Sequence, residues 1–161
     1  MRKPQFRRLR WPIAALAALF IGGVVAKESG WRVNVSGSLP ETFYRVVDLK
    51  HARVGDYVQI CAPISIPALP AASPGEPSCD GKLPLLKRVV AVAWDRVIVD
   101  SEGVWVNGEL LPDSRPKATD STGRPLPAAY GRHDLLPMEY WVMGEHPDSY
   151  DSRYFGKVIR P

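Results

Sequence analysis

Three short segments of this 161-residue chain hold the best-placed candidates for nucleophile and base. Ser36-Gly37-Ser38-Leu39-Pro40 sets two serines ahead of an apolar stretch. Leu83-Pro84-Leu85-Leu86-Lys87-Arg88-Val89-Val90-Ala91-Val92 places one lysine among apolar neighbours. Gly144 to Gly156 reads Gly-Glu-His-Pro-Asp-Ser-Tyr-Asp-Ser-Arg-Tyr-Phe-Gly. A serine hydroxyl becomes a nucleophile only when a base takes its proton. The three histidines, His51, His133 and His146, stand in no recognisable triad context, and position along a chain does not identify a triad. A lysine serves instead where burial disfavours the ammonium form, and Lys87 is the best placed. Each segment also has an ordinary reading. Ser38 fits a loop serine bonded to nearby backbone. Lys87 and Arg88 fit a solvated pair at a strand edge. The last segment fits a surface loop of turn formers, although a string of Asp, Arg and aromatics suits a structured, partly buried loop. Metal-ligand spacing, a phosphate-binding glycine loop and Cys-x-x-Cys are all missing from the sequence, so the chemistry calls for no metal and no cofactor.

The elements around these segments are β-rich. Runs of Val, Ile, Tyr and Phe predict strands at Phe43–Asp48, Tyr57–Cys61, Leu85–Val92, Arg96–Asp100, Val104–Val106, Tyr140–Met143 and Lys157–Ile159, with Gly, Pro, Asp or Asn between them. Val106-Asn107-Gly108-Glu109 is a hairpin signal, since Asn-Gly tolerates positive φ. Arg53-Val54-Gly55-Asp56 is a turn feeding the next strand. No amphipathic helix is expected after residue 30, and residues 112–138, rich in Pro and Gly, are expected to form a long loop or extended insertion. The fold class is mostly β: one folded sheet or partly open barrel behind a single N-terminal transmembrane helix.

That helix comes from sixteen uncharged residues, Trp11 to Ala26, spanning roughly 24 Å. The organisation expected is a basic tip at 1–10, a membrane anchor or signal-like helix at 11–27, and one folded domain at 28–161. Val24-Val25-Ala26 also resembles a cleavage site, so a removed signal peptide stands as the alternative. Either way the basic side stays in the cytoplasm and the body is exported, to the periplasmic side of the inner membrane. The charge distribution speaks against nucleic acid. Arg2, Lys3, Arg7, Arg8 and Arg10 supply +5 of a net +4, leaving 4 − 5 = −1 for the rest. Cys61 and Cys79 flank a segment with five prolines. In an oxidising compartment they would form a bridge contributing on the order of 3 kcal/mol, the alternative being two unrelated thiols.

In this order behind an apolar helix, the three segments resemble the type I signal peptidase (leader peptidase) superfamily, whose fold is also that of LexA. Ser36 to Pro40 matches the family's nucleophile box, Lys87-Arg88-Val89-Val90-Ala91 its base box, and Gly144 to Gly156 its last box. More narrowly, Ser38 to Tyr44, the Cys61/Cys79 pair and Asp120-Ser-Thr-Gly-Arg-Pro-Leu-Pro127 resemble TraF, the conjugative-transfer branch. Thr42 departs from a usual Gly, and Glu145-His146 from a usual Asp-Asn.

The resemblance implies a serine endopeptidase. Ser38 would be acylated and Lys87 would take its proton. Ser36 and the Ser38 amide would bind the oxyanion, Ser149 would hydrogen-bond the lysine, and Asp151 and Arg153 would pair to hold the site together. The substrate class implied is an exported precursor protein, most specifically a conjugative pilin precursor that is cleaved and closed into a ring. A general leader peptidase is the nearest alternative. A LexA-type self-cleaving protein would need a DNA-binding domain where this chain has an apolar helix. A non-catalytic exported β-domain in an envelope complex is the alternative from another class.

Overall fold

The computed structural model describes residues 10–33, 42–47, 51–61, 79 and 84–159. They fall into two compact units. In the first, α1 (Arg10–Glu28) leads into a ribbon of β1 (Trp31–Val33) and β2 (Phe43–Arg45). Gly30 turns the chain out of the helix with φ 85°, and its carbonyl accepts the Val46 amide at 2.8 Å. Every described side chain from 11 to 25 is exposed, among them Trp11, Leu16, Leu19 and Phe20. No helix among the described residues is long and apolar enough to cross a membrane; α1 runs 19 residues, against roughly 20 apolar ones for a hydrocarbon core.

The second unit contains two four-stranded antiparallel sheets. The first holds β3 (Tyr57–Cys61), β4 (Pro84–Ala91), β9 (Glu139–Met143) and β10 (Val158–Ile159), in the order β10-β9-β4-β3. The second holds β5 (Arg96–Val99), β6 (Val104–Val106), β7 (Glu109–Leu110) and β8 (Gly131–Asp134), in the order β7-β6-β5-β8. Asn107 and Gly108 join β6 to β7 with φ 53° and 90°, the positive values that the Asn-Gly pair predicts.

β9 is buried at all five positions because it faces two cores. Tyr140 and Val142 join Ile60, Leu85, Val89 and Val158. Trp141 and Met143 join Ala91, Val97, Val99, Val104 and Leu135. Val89 and Ala91 would share a face in a regular strand, yet they enter different cores. The pairing of β4 with β9 slips between those two residues, and such a slip re-aims the side chains that follow.

Three expectations change. Where one folded sheet or partly open barrel was expected, the described strands of the second unit form two four-stranded sheets, and that slip and the turn at 92–95, with Trp94 at φ 76°, carry the chain from one to the next. The region 112–138 contains a strand, β8, whose Gly-Arg-His-Asp composition has none of the usual β signal. A single-turn helix, α2 (Ser152–Phe155), stands where none was expected; it is too short for an apolar period to show. The strands expected at Phe43–Asp48, Leu85–Val92, Arg96–Asp100 and Lys157–Ile159 shift or shorten at their ends, the one expected at Tyr140–Met143 gains Glu139, and Asp48 lies outside the described residues.

Candidate active site

Strand β4 alternates, turning Leu85, Lys87 and Val89 to the interior and Arg88 to solvent. Lys87 is 4% exposed. An ammonium taken out of water must find compensation or lose its proton, and here burial is the largest influence on the amine. It pushes the pKa of Lys87 down; the Asp151 carboxylate opposes this and the Arg153 guanidinium assists it. Lys87 Nζ donates to Ser149 Oγ at 2.7 Å, a buried contact between residues 62 apart in sequence. The solvated-pair reading of Lys87 therefore fails, although it holds for Arg88.

Ser149 is brought to the amine by the loop from Gly144 to Asp151, which is fastened at both ends. Asp151 caps α2, accepting from the Arg153 amide at 3.1 Å. The same carboxylate takes two bonds from the guanidinium, Nε to Oδ1 at 2.9 Å and Nη2 to Oδ2 at 2.8 Å, and one from the Gly144 amide at 3.0 Å. Arg153 then bonds the carbonyls of Asp113 and Pro147, both at 3.2 Å. Both members of the ion pair are fully buried. Burial alone would lower the arginine's pKa, but the hydrogen bonds and charge of Asp151 outweigh it and raise it. The pair acts as a bolt between the end of β9, α2 and the 113 loop.

Gly144 is a site residue that sequence reasoning did not single out. A Cβ built there would overlap the Oγ and Cβ of Ser149 and come to 3.4 Å from Lys87 Nζ. Its φ is not in the left-handed region, so what demands glycine is space. Ser152 is also fully buried and accepts the Val142 amide at 3.0 Å, stitching α2 to β9. The position of Gly144 at the head of the last box was the available signal for the first. The signal for Ser152 was likewise its place inside that box, between Asp151 and Arg153.

Of the residues read from the sequence, Lys87, Ser149, Asp151 and Arg153 come together in one buried cluster. Cys61 and Cys79 form a disulfide with Cα atoms 5.2 Å apart, which ends the alternative of unrelated thiols. Ser36 and Ser38 lie outside the described residues. Among the described residues no group of three or more His, Cys, Asp or Glu is placed to hold a metal ion.

Comparison with known proteins agrees with the motif resemblance. A family model described as signal peptidase, peptidase S26 matches residues 8–160. The plasmid transfer protein TraF of Escherichia coli is 37% identical over 156 residues, covering 92% of this chain and 85% of that protein. The probable conjugal transfer protein TraF of Sinorhizobium fredii (strain NBRC 101917 / NGR234) is 32% identical over 164 residues, covering 98% and 86%. The conjugal transfer protein TraF of Agrobacterium tumefaciens (strain 15955) is 31% identical over 149 residues, covering 88% and 84%. No solved structure matches the chain.

Proposed function

The chain belongs to the peptidase S26 signal peptidase family, and from that premise we propose that it is a membrane-anchored Ser/Lys endopeptidase that matures an exported precursor, specifically the pilin precursor of a conjugation system. The observation that carries the reading is the buried amine of Lys87, depressed in pKa and held by Ser149. A neutral amine that donates one N–H to Ser149 keeps its lone pair for another proton.

In the proposed reaction that proton comes from Ser38. Ser38 Oγ attacks the carbonyl carbon of the scissile peptide as its proton passes to Lys87 Nζ, and the carbonyl becomes an oxyanion held by the Ser38 amide and Ser36. Preorganised donors of this kind are each worth about 3–4 kcal/mol to a transition state. Collapse breaks the C–N bond, the leaving amine takes the proton from Lys87, and the acyl group remains on Ser38. Water then releases it as an acid. If the precursor's own N-terminal amine takes the place of water, the product is a ring. Both outcomes use the same first half-reaction. The association with conjugation rests on relatives that carry the name TraF.

We place α1 in the inner membrane, with the N-terminus cytoplasmic and the second unit periplasmic. Its sixteen uncharged residues span roughly 24 Å, short of the ~30 Å of a hydrocarbon core, and in this placement the long side chains of Arg10 and Lys27 would reach the interfaces to make up the difference. Its apolar side chains are exposed along the whole described stretch, the character of a helix whose solvent is not water. The disulfide suits an oxidising compartment.

Co-expression of the full-length chain with a pilin precursor from the same conjugation locus tests the activity. Intact chain converts the precursor to a mature form, whereas Ser38→Ala and Lys87→Ala leave it unprocessed. Undiminished processing by either variant contradicts the dyad. Rescue of general secretion on depletion of the host's leader peptidase would instead favour the housekeeping alternative.

A further inference from the structure

Two opposed strands carry Lys87 on one face and a second, unassigned group of polar side chains on the other. In the β3/β4 register Val58 faces Lys87, and Tyr57 faces Arg88. Directly opposed residues share a face of the sheet, so Tyr57 and Arg88 stand together on the outer side of β4. Glu145, the residue after Gly144, reaches across to them. Its Oε1 accepts from the Tyr57 hydroxyl at 2.7 Å and lies 4.0 Å from Arg88 Nη1. The loop that bears Ser149 is thus held twice: at its far end by Asp151 and Arg153, and at its near end by Glu145.

We propose that Tyr57 and Arg88 form a latch for the Glu145 carboxylate, which seats Gly144 and Ser149 on Lys87 and keeps a second carboxylate away from the amine. Charge and geometry both give the latch a consequence. Asp151 already favours the ammonium form of Lys87, against burial and Arg153. A loosened Glu145, one residue from the glycine whose lack of a Cβ leaves room for Ser149 beside Lys87, would add a further negative charge and admit water, and each change favours the protonated amine. The phenol–carboxylate bond is charge-assisted and the shorter of the two contacts, both of which are exposed. The Arg88–Glu145 pair is half-exposed and contributes little by itself. Tyr57, Arg88 and Glu145 are positioning residues: they act through the loop. Glu145 stands at one of the two positions where the chain departs from the family's usual last box.

The proposal rests on reading Lys87 as the base, so its test is one that needs no substrate. Full-length chain carrying 13Cε-lysine is titrated by NMR, with the Lys87 resonance identified by its loss in Lys87→Arg. Tyr57→Phe, which keeps the ring, its packing and the loosened carboxylate, should raise the Lys87 midpoint by about one pH unit, a tenfold gain in proton affinity; Glu145→Ala, which frees the loop but removes the charge, should raise it by less. Glu145→Gln, which still offers an oxygen to the Tyr57 hydroxyl, should stay within about 0.3 unit of the unsubstituted chain. An unmoved midpoint in both Tyr57→Phe and Glu145→Ala overturns the latch, as does a shift in Glu145→Gln equal to that in Glu145→Ala. A midpoint that responds in a chain that processes no precursor would leave the latch standing and remove the peptidase reading instead.

Discussion

Lys87 is a side chain whose burial costs stability. In the unfolded chain it titrates near the ordinary lysine value of 10.5, and in the folded protein lower. Between those two values the unfolded state binds more protons, so stability rises with pH and the penalty vanishes above the unfolded value. Below the folded midpoint the penalty is present in full. Lys87→Met removes the titration. Its thermal midpoint should exceed that of the unsubstituted chain at neutral pH, and the gap should narrow steadily as the pH approaches 10.5, as scanning calorimetry across that range can check. A gap independent of pH would mean that the amine pays no desolvation cost. The burial of this lysine was not legible from composition, which favours a solvated Lys-Arg pair. It became legible only through the match of three separated boxes. The strand's alternation does the physical work, turning Lys87 inward and Arg88 outward.

At the level of elements, the decisive piece is the turn and loop between β9 and α2. Its length, its glycine and its buried ion pair together set Ser149 on the amine. Gly144→Ala tests that fit. The added methyl has no room beside Ser149 and Lys87, and overpacking of this sort costs about 1–3 kcal/mol. The loop can relieve it by moving Ser149 off Lys87. Precursor processing should therefore fall at least about tenfold while the rest of the fold survives, with the unfolding free energy from urea titration lowered by no more than that cost. Full activity in this variant would show that the Ser149 contact is dispensable. Strands Tyr57–Cys61 and Val104–Val106 and the Asn107-Gly108 hairpin were readable because their signals are local: β-branched and aromatic runs, and a dipeptide that tolerates positive φ. β8 was not readable, because Gly131 to Asp134 join the sheet through backbone pairing with β5, which composition does not encode. Nor was α2, whose four residues are fixed by the Asp151 cap and the Arg153 bolt.

At the scale of the whole molecule, the chain joins an apolar helix to a β-rich body. The helix was plain from sixteen uncharged residues behind a basic tip; the split into two sheets was not, since one slip in the β4–β9 pairing and one turn decide it. If α1 anchors the chain, the protein stays with the membrane fraction after alkaline carbonate extraction, and replacing Leu16 and Leu19 by Arg releases it. Release of the unsubstituted chain would contradict the anchor. The central claim is that an uncharged Lys87 activates Ser38. It is tested most directly by the pH dependence of Ser38 labelling with a serine-directed acylating probe on the full-length chain, read by mass spectrometry. The account predicts a label on Ser38 whose rate reaches its half-maximum below the lysine's ordinary 10.5 and which is lost in Lys87→Ala. Equal labelling without the lysine, or a rate still climbing through that pH, would contradict it.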